Sequence, residues 1–573
     1  MLTGGNINFM FPPVNSVKVR IFDPLEVTKW ISEIMGIKYE VVRFYCIRNY
    51  ILYFMKHILN NTKVSFPATV LIIFMILSVA QSKSVVSQTL HAGAGKVNIT
   101  AGAQSGQETD NPLVHDSLYA KALIIENDNT KAVIIAMDVI TIHDRWLSTD
   151  NFLTGLRKKV QDELGIRGEN VLVNASHNHR TQGQVCKDLM EKTFLAVKKA
   201  AENIEPITVG VGSGYEDRIS MNRRLQLKNG KAWTIRHANP SPPDEEVAGV
   251  GPMDPEIGIL KLNRLDGTTK AVVYNFAVHP YSGVPEGGAT AELPGFASEV
   301  IEDQLGEDAL ALFVQGAGGN ITEVLYKVVN QPMDCEPLGR MLGLSTMKAL
   351  RKINTVNTDR LSVINETIHL PLRTDIPERI EELNKQELEL LQSLRGTSLN
   401  LKTFIPLYIK YNLFPEYPSY YKYRYLQEEK IGSQALKSMD RENHRNIEKY
   451  LRNIHAMKKL ARIVDNKGHL RNRQEQIDNY VGSTVALEIQ GMRIGDFVMV
   501  SFPGEVFVEV GLNIKEKSPY ENTFLAGYSN GFIYYNPTAD AYNGWAYEDM
   551  NCILAPEWQA IFEEKVMAII NRF

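Results

Sequence analysis

Residues 170–183 read NVLVNASHNHRTQG, an apolar run that breaks into polar residues and carries His177 and His179 two apart at its end. In extended chain, residues i and i+2 lie on one face, so the two imidazoles are expected to share a side at the end of a strand. A His-x-His pair by itself has two readings. It binds a metal, with the second ring free to handle a proton or a substrate carbonyl, or it is an exposed, hydrogen-bonded pair at a strand end.

Working outward, the apolar runs ALIIEN (122–127), KAVIIAMDVIT (131–141), ITVGVGSG (207–214), GILKLNRL (258–265), AVVYNFAVH (271–279) and ALALFVQGAGG (309–319) are expected strands with polar residues or glycine gathered at or near their ends. Between them lie helical patterns, among them residues 185–204, VCKDLMEKTFLAVKKAAENI, and residues 295–306, GFASEVIEDQLG, with Gly306 as a stop. The alternation predicts an α/β fold: mixed β-sheets flanked by helices, in one large catalytic domain with a helical insertion. Polar side chains at strand ends are where a sheet-built site collects its groups.

Two other strand ends carry metal-ligating residue types. In AVVYNFAVHPYSG, His279 precedes Pro280, which halts the ladder. In VMVSFPGEVFVEVG, Pro503 and Gly504 stop the strand and leave Glu505 at a strand-to-helix corner. A carboxylate there is a candidate ligand, or a charge that satisfies a helix N-terminus. The chain holds 12 histidines in all, so three at strand ends point to a common site.

Composition bounds the function. The 573 residues are 44% hydrophobic and 22% charged, which is ordinary for a globular chain long enough to bury a full core. A formal net charge of -4 gives no excess of positive charge to attract nucleic acid. The four cysteines, Cys46, Cys186, Cys335 and Cys552, have neither Cys-x-x-Cys pairing nor the density of a disulfide scaffold. No His-Glu-x-x-His occurs, no segment resembles the nucleophile elbow of a serine hydrolase, and the QGAGG run lacks the Lys-Ser/Thr of a phosphate loop.

From Phe66 to Val79 the chain reads FPATVLIIFMILSV without a charge, after a basic stretch that opens at Met55 and before Ala80, Gln81 and Ser82. That is the anatomy of a secretory signal peptide, so residues 55–82 are expected to direct export, with Met55 as the initiator and residues 1–54 as a misassigned or leader extension. An uncleaved signal anchor and a buried core helix are the other readings. The catalytic domain is then expected over residues 83–374 and 479–573.

Residues 375–478 differ in composition. Asp375 is expected to cap a helix with Pro377 in its first turn, over PERIEELNKQELELLQSL. The segment 404–425 follows, dense in Tyr, Phe and Pro, and then a basic helical region to about Arg473. Its helices either pack on the catalytic body or carry Tyr408, Tyr411, Phe414, Tyr417, Tyr420, Tyr421, Tyr423 and Tyr425, interleaved with Lys410, Lys422 and Arg424, to a lipid interface.

Taken in order, AGAGKVNITAG, HDSLYAKALII, SHNHRTQG, MNRR, NFAVHPYS, AELPGFAS, QGAGGN, FPGE and GYSNGFIYYNPTADAYNGWAYE resemble the neutral, non-lysosomal ceramidase family over residues 91–373 and 480–573. The resemblance implies an exported zinc amidohydrolase that cleaves the N-acyl bond of ceramide, a lipid-like substrate, by attack of zinc-bound water. It implies zinc ligands at His177, His279, Glu505 and Tyr535, with Tyr535 twelve residues before Tyr547 as in the family. It implies that His179, Arg223 and Tyr547 stabilise the oxyanion or deliver a proton. The family commonly has Gly-Asp-Val-Ser-Pro where this chain has Gly319-Asn320-Ile321-Thr322-Glu323, so only Thr322 offers a hydroxyl there. Arg180 and Thr181 replace the usual Ser-Gly, which implies a different substrate entrance. Another N-acyl or ester substrate, and a non-catalytic exported binding protein, are the alternative functions. Asp138 and Asp254 are expected either to orient ligand histidines or to cap turns, and His115, His143 and His237 to be surface or satisfied residues.

Overall fold

The computed structural model describes residues 89–573 apart from 103–112, 144–146, 148–150, 236–241, 307, 325–332 and 420. The expected leader 1–54, the secretory segment 55–82, Cys46, His237 and Tyr420 lie outside the described residues.

The fold is mixed α/β, built on two facing sheets. The larger has eight strands in the spatial order Leu310–Gln315, Thr269–Phe276, Glu256–Arg264, Glu205–Tyr215, His91–Asn98, Tyr119–Glu126, Lys131–Met137 and Val171–Ala175. Its outermost pair at each edge is parallel, and the pairs between are antiparallel. The smaller sheet holds Leu361–Pro371, Thr484–Ile494, Phe497–Ser501 and Asn522–Ala526.

Strand alternation explains the layering. In Lys131–Met137, Val133, Ile135 and Met137 point to the helices Phe152–Leu164 and Leu189–Ala201, whereas Ala132, Ile134 and Ala136 point to the second sheet. There they meet Met492, Ile494, Phe497, Met499 and Phe524. The other face of the small sheet, with Leu487, Ile489, Val498 and Val500, is covered by Val508–Lys517 and Trp558–Ile570. The order is therefore helices, sheet, sheet, helices, and the strands Lys131–Met137, Thr269–Phe276, Leu310–Gln315 and Phe497–Ser501 are buried on both sides nearly throughout. Truncating Phe497, fully buried between the sheets, is worth about 3–5 kcal/mol of stability.

At one end the large sheet curls until its edge strands meet. The Gln315 amide donates to Asn174 Oδ1 at 2.9 Å, and Gln315 Nε2 donates to the Ser176 carbonyl at 3.0 Å. Asn174 Nδ2 in turn donates to the Gly527 carbonyl at 2.7 Å, tying in the small sheet. This buried, fully bonded network holds together three loops that are far apart in sequence: 176–181, 277–283 and 316–320.

Between the paired strands Leu361–Pro371 and Thr484–Ile494 the chain makes four helices, Ile376–Ser393, Leu401–Leu413, Lys422–Ile431 and the 44-residue Ala435–Asp478. Asp375 stands at the first helix start but does not cap it with its side chain; its carboxylate is taken by Arg373 and Arg379. Two strong cations outcompete backbone amides for the same oxygens. Among the described residues no helix is long and apolar enough to cross a membrane.

Candidate metal centre

The strand ends at Ala175, and His177 is no longer extended: its φ is 61°. The expectation that alternation alone aligns the two rings is therefore corrected. A left-handed His177 and the turn that follows bring the rings together, with His179 Nε2 3.0 Å from His177 Nε2. A non-glycine residue held at positive φ costs about 1–3 kcal/mol and needs its surroundings to hold it. Tyr528, φ 54°, does so from the small sheet, its ring 4.2 Å from that of His177.

His279 also lies past its strand, which ends at Phe276, and reaches the same point. Its Nε2 is 3.2 Å from His177 Nε2. Behind the rings, His177 Nδ1 donates to the Ile140 carbonyl at 2.8 Å and His279 Nδ1 to the Gly318 carbonyl at 3.3 Å. These bonds fix the tautomers, so that the two Nε2 atoms face each other as lone pairs. His279 is held well below the ordinary imidazole range, by burial first and then by the positive charge of Arg223.

Glu505 stands in the two-residue strand Glu505–Val506, paired in parallel with Tyr535–Asn536. Gly319 allows this approach, because a Cβ there would sit 2.3 Å from the Glu505 carbonyl oxygen. Glu505 Oε2 is 3.4 Å from His177 Nε2 and has no hydrogen-bond partner although it is buried. The Tyr528 hydroxyl beside it is a second such orphan.

Facing lone pairs and an orphaned carboxylate oxygen repel one another, and a cation among them resolves this. Nitrogens each about 2.0–2.1 Å from a tetrahedral divalent ion lie roughly 3.3–3.4 Å apart, close to the separations found here. Ligand atoms of His177, His179 and His279 all lie within 4.8 Å of one another. His177, His279 and Glu505 are buried, whereas His179 is exposed and forms the outer side of the cluster.

A second, charged layer lies next to it. Arg223, buried, donates to Glu548 Oε1 at 3.0 Å, to the Gly319 carbonyl at 2.9 Å and to the Tyr535 hydroxyl at 3.1 Å. Arg224 binds Asp549 through two nitrogens, each at 3.0 Å. Burial opposes ionisation of Glu548, but Arg223 and Arg224 outweigh it and hold the carboxyl below its ordinary value. Tyr535 keeps its proton, since burial first and the Glu505 carboxylate second push its phenol well up. Tyr547 opens a short helix with its ring 5.4 Å from Tyr535. Thr322 contacts the Tyr281 hydroxyl, and Tyr281 places its ring 5.2 Å from His279.

The structure thus brings His177, His179, His279 and Glu505 into one cluster and sets Tyr535, Arg223 and Tyr547 beside it, with Thr322 reaching it through Tyr281. Among the described residues, Asp138 and Asp254 make no hydrogen bond to a ligand histidine. Asp138 accepts from the Tyr119 amide at 2.8 Å, and Asp254 pairs with Lys515 at 2.6 Å. Sequence reasoning did not single out Tyr281, Tyr528 or Glu548. Tyr281 stands two after His279, and Tyr528 lies in a glycine-framed Gly-Tyr-Ser-Asn-Gly run, which were the available signals. Cys186, Cys335 and Cys552 are buried free thiols.

No protein-family model matches the chain, and no curated protein matches it. Solved structures do. A neutral ceramidase from Pseudomonas aeruginosa superposes with a TM-score of 0.53 at 16% identity, over 85% of this chain and 75% of that one. A ceramidase complexed with C2 gives 0.53 and 16% over 85% and 76%. The described chain has a neutral-ceramidase-like fold.

Proposed function

We propose that this chain is an exported zinc-dependent amidohydrolase that cleaves the N-acyl bond of a ceramide-like lipid into fatty acid and sphingoid base. The observation that carries the proposal is the convergence on His177 Nε2 of His279 Nε2 at 3.2 Å and the orphaned Glu505 oxygen at 3.4 Å, with His279 4.0 Å from that oxygen and an exposed His179 alongside. The fold likeness supports it at the level of architecture.

His177, His279 and Glu505 would hold zinc, with Tyr535 at the edge of the set. When bound, zinc supplies Lewis acidity for the amide carbonyl and draws the pKa of water toward neutrality. The side chains do the rest. His179, exposed at the outer side, holds or passes the proton that the departing amine needs. Arg223, fixed by Glu548 and the Gly319 carbonyl, keeps a permanent positive charge beside the Tyr535 hydroxyl, and the two donors would stabilise negative charge on the carbonyl oxygen. Tyr547 adds a third polar group on that side. No side-chain nucleophile is required, so Thr322 serves by holding Tyr281.

Half-buried Arg180 favours a second substrate class. Its guanidinium bonds the Tyr281 carbonyl at 2.7 Å, which sets a cation at the rim of the site and suits an acylated amine with an anionic group, such as an N-acyl amino acid. The test is fatty-acid release from ceramides, N-acyl amino acids and acylated amino sugars, with and without zinc. Zinc-dependent release from ceramide is expected, and no release from any of the three would sink the proposal. Export rests on residues 66–82 and is checked by sequencing the N-terminus of secreted protein, expected between Gln81 and Lys83.

A further inference from the structure

The four helices between residues 376 and 478 form an arm with two different ends. At one, Ile463 and Leu470 of the long helix pack with Ile376, Leu383 and Met550, and His469 sets its ring 5.1 Å from Tyr547. At the other, Ile447 packs with Phe404 and Tyr411. From Ile447 to Leu470 is about 35 Å along the helix axis.

The helix Leu401–Leu413 uses one face for that packing. Tyr411 donates to Asp440 at 2.6 Å, and Phe404 stacks on Tyr450. Its opposite face is apolar too. Leu401, Ile405, Ile409 and Leu413 follow one another at four-residue spacing and are 60, 45, 49 and 65% exposed. Tyr421 and Tyr423, at the start of the helix that follows, are exposed as well. A helix that is apolar on both faces at a solvent-exposed position is missing a partner.

The charges nearby say which. Between residues 401 and 431 there are five lysine and arginine side chains against three carboxylates, in a chain of net charge -4. Lys422 lies 4.8 Å over the Tyr417 ring and Arg424 5.6 Å from the Tyr421 ring. Aliphatic side chains for the acyl boundary, tyrosines for the headgroup level and cations for anionic phosphates is the combination that an interfacial helix presents. Among the described residues Lys402, Lys410, Lys422 and Arg424 form no ion pair within the chain, which leaves their charges for anionic phosphates.

We propose that Leu401, Ile405, Ile409 and Leu413, with Tyr421, Tyr423 and their basic neighbours, form a docking surface for an anionic lipid bilayer. The surface tethers the chain where a lipid substrate resides. Only this consequence rests on the proposed activity; the docking itself does not.

The test is cosedimentation of the full chain with vesicles of equal parts phosphatidylcholine and phosphatidylserine, against the variant Ile405→Asp/Ile409→Asp. Both positions are exposed, and unchanged circular dichroism checks the fold. A second variant, Lys410→Glu/Lys422→Glu/Arg424→Glu, probes the charge. Wild type is expected to sediment with the vesicles and each variant to bind about tenfold or more weakly. All three should hydrolyse a soluble short-chain N-acyl substrate equally. Equal vesicle binding by wild type and both variants would overturn the proposal. So would a lipid-free dimer that the aspartates dissociate, with no vesicle binding, because a second copy would then cover the stripe. Vesicle binding with no hydrolysis of any substrate by wild type would support the docking surface and count against the proposed activity alone.

Discussion

His177 and His279, 102 residues apart in the chain, point their Nε2 atoms at each other across 3.2 Å while each Nδ1 donates to a backbone carbonyl. With each Nδ1 engaged as a donor, the two Nε2 atoms are left as the metal-ligating atoms, and a cation between them satisfies both. Zinc should therefore stabilise the native chain by mass action. Adding zinc to chelator-treated protein is expected to raise the melting temperature by a few degrees, and His279→Ala should abolish the increase. An unchanged increase in that variant would speak against the ligand assignment.

Arg223 makes three hydrogen bonds in different directions, to Glu548, the Gly319 carbonyl and Tyr535, which a lysine ammonium on a flexible stem cannot reproduce. Arg223→Lys is expected to lower kcat by about 10²- to 10³-fold with zinc content unchanged, as for loss of one donor to a developing oxyanion. A change confined to KM would show that Arg223 binds substrate and transition state alike.

Thr322 separates two mechanisms. It bonds the Tyr281 hydroxyl, and the proposed reaction needs no nucleophile from the side chains. Thr322→Val should therefore retain activity within about tenfold, whereas loss of an essential nucleophile costs on the order of 10⁴ or more. Steady-state kinetics on a soluble substrate distinguishes the two.

Asp138 makes stability depend on pH. Burial raises its pKa from 3.8 to about 6, against the opposing pull of Lys121. The native state thus prefers the protonated acid. That contribution is complete below about pH 4 and is lost as pH rises through 6, with a magnitude of about 3 kcal/mol. Asp138→Asn keeps an acceptor for the Tyr119 amide but cannot ionise. Its stability relative to wild type should rise between pH 4 and 7 in urea titrations; a relative fall would reverse the assigned sign.

Much of the layering was legible in single strands. The run from Lys131 to Met137 alternates between two apolar faces, and continuous apolar runs signal strands buried on both sides. That the second face meets another sheet was not legible, because Phe497 and Phe524 reach Ile134 only through long-range pairing. The same limit applies to the site. Its histidines and Glu505 stood out as polar residues after apolar runs, but the left-handed backbone of His177 and the Tyr528 ring that packs on it depend on contacts some 350 residues apart. Asp375 shows the reverse error: a local capping pattern lost to Arg373 and Arg379, one of which lies outside the helix. The aromatic segment 404–425 divides as no composition could announce, with Phe404, Tyr411 and Tyr425 inside and Tyr421 and Tyr423 outside.

The most direct test measures bound zinc and fatty-acid release from ceramide on the same preparations of wild type and His177→Ala. The account predicts one zinc per chain and release in wild type, with both lost in the variant. Full ceramide hydrolysis by His177→Ala, or by wild-type protein free of metal, would contradict it.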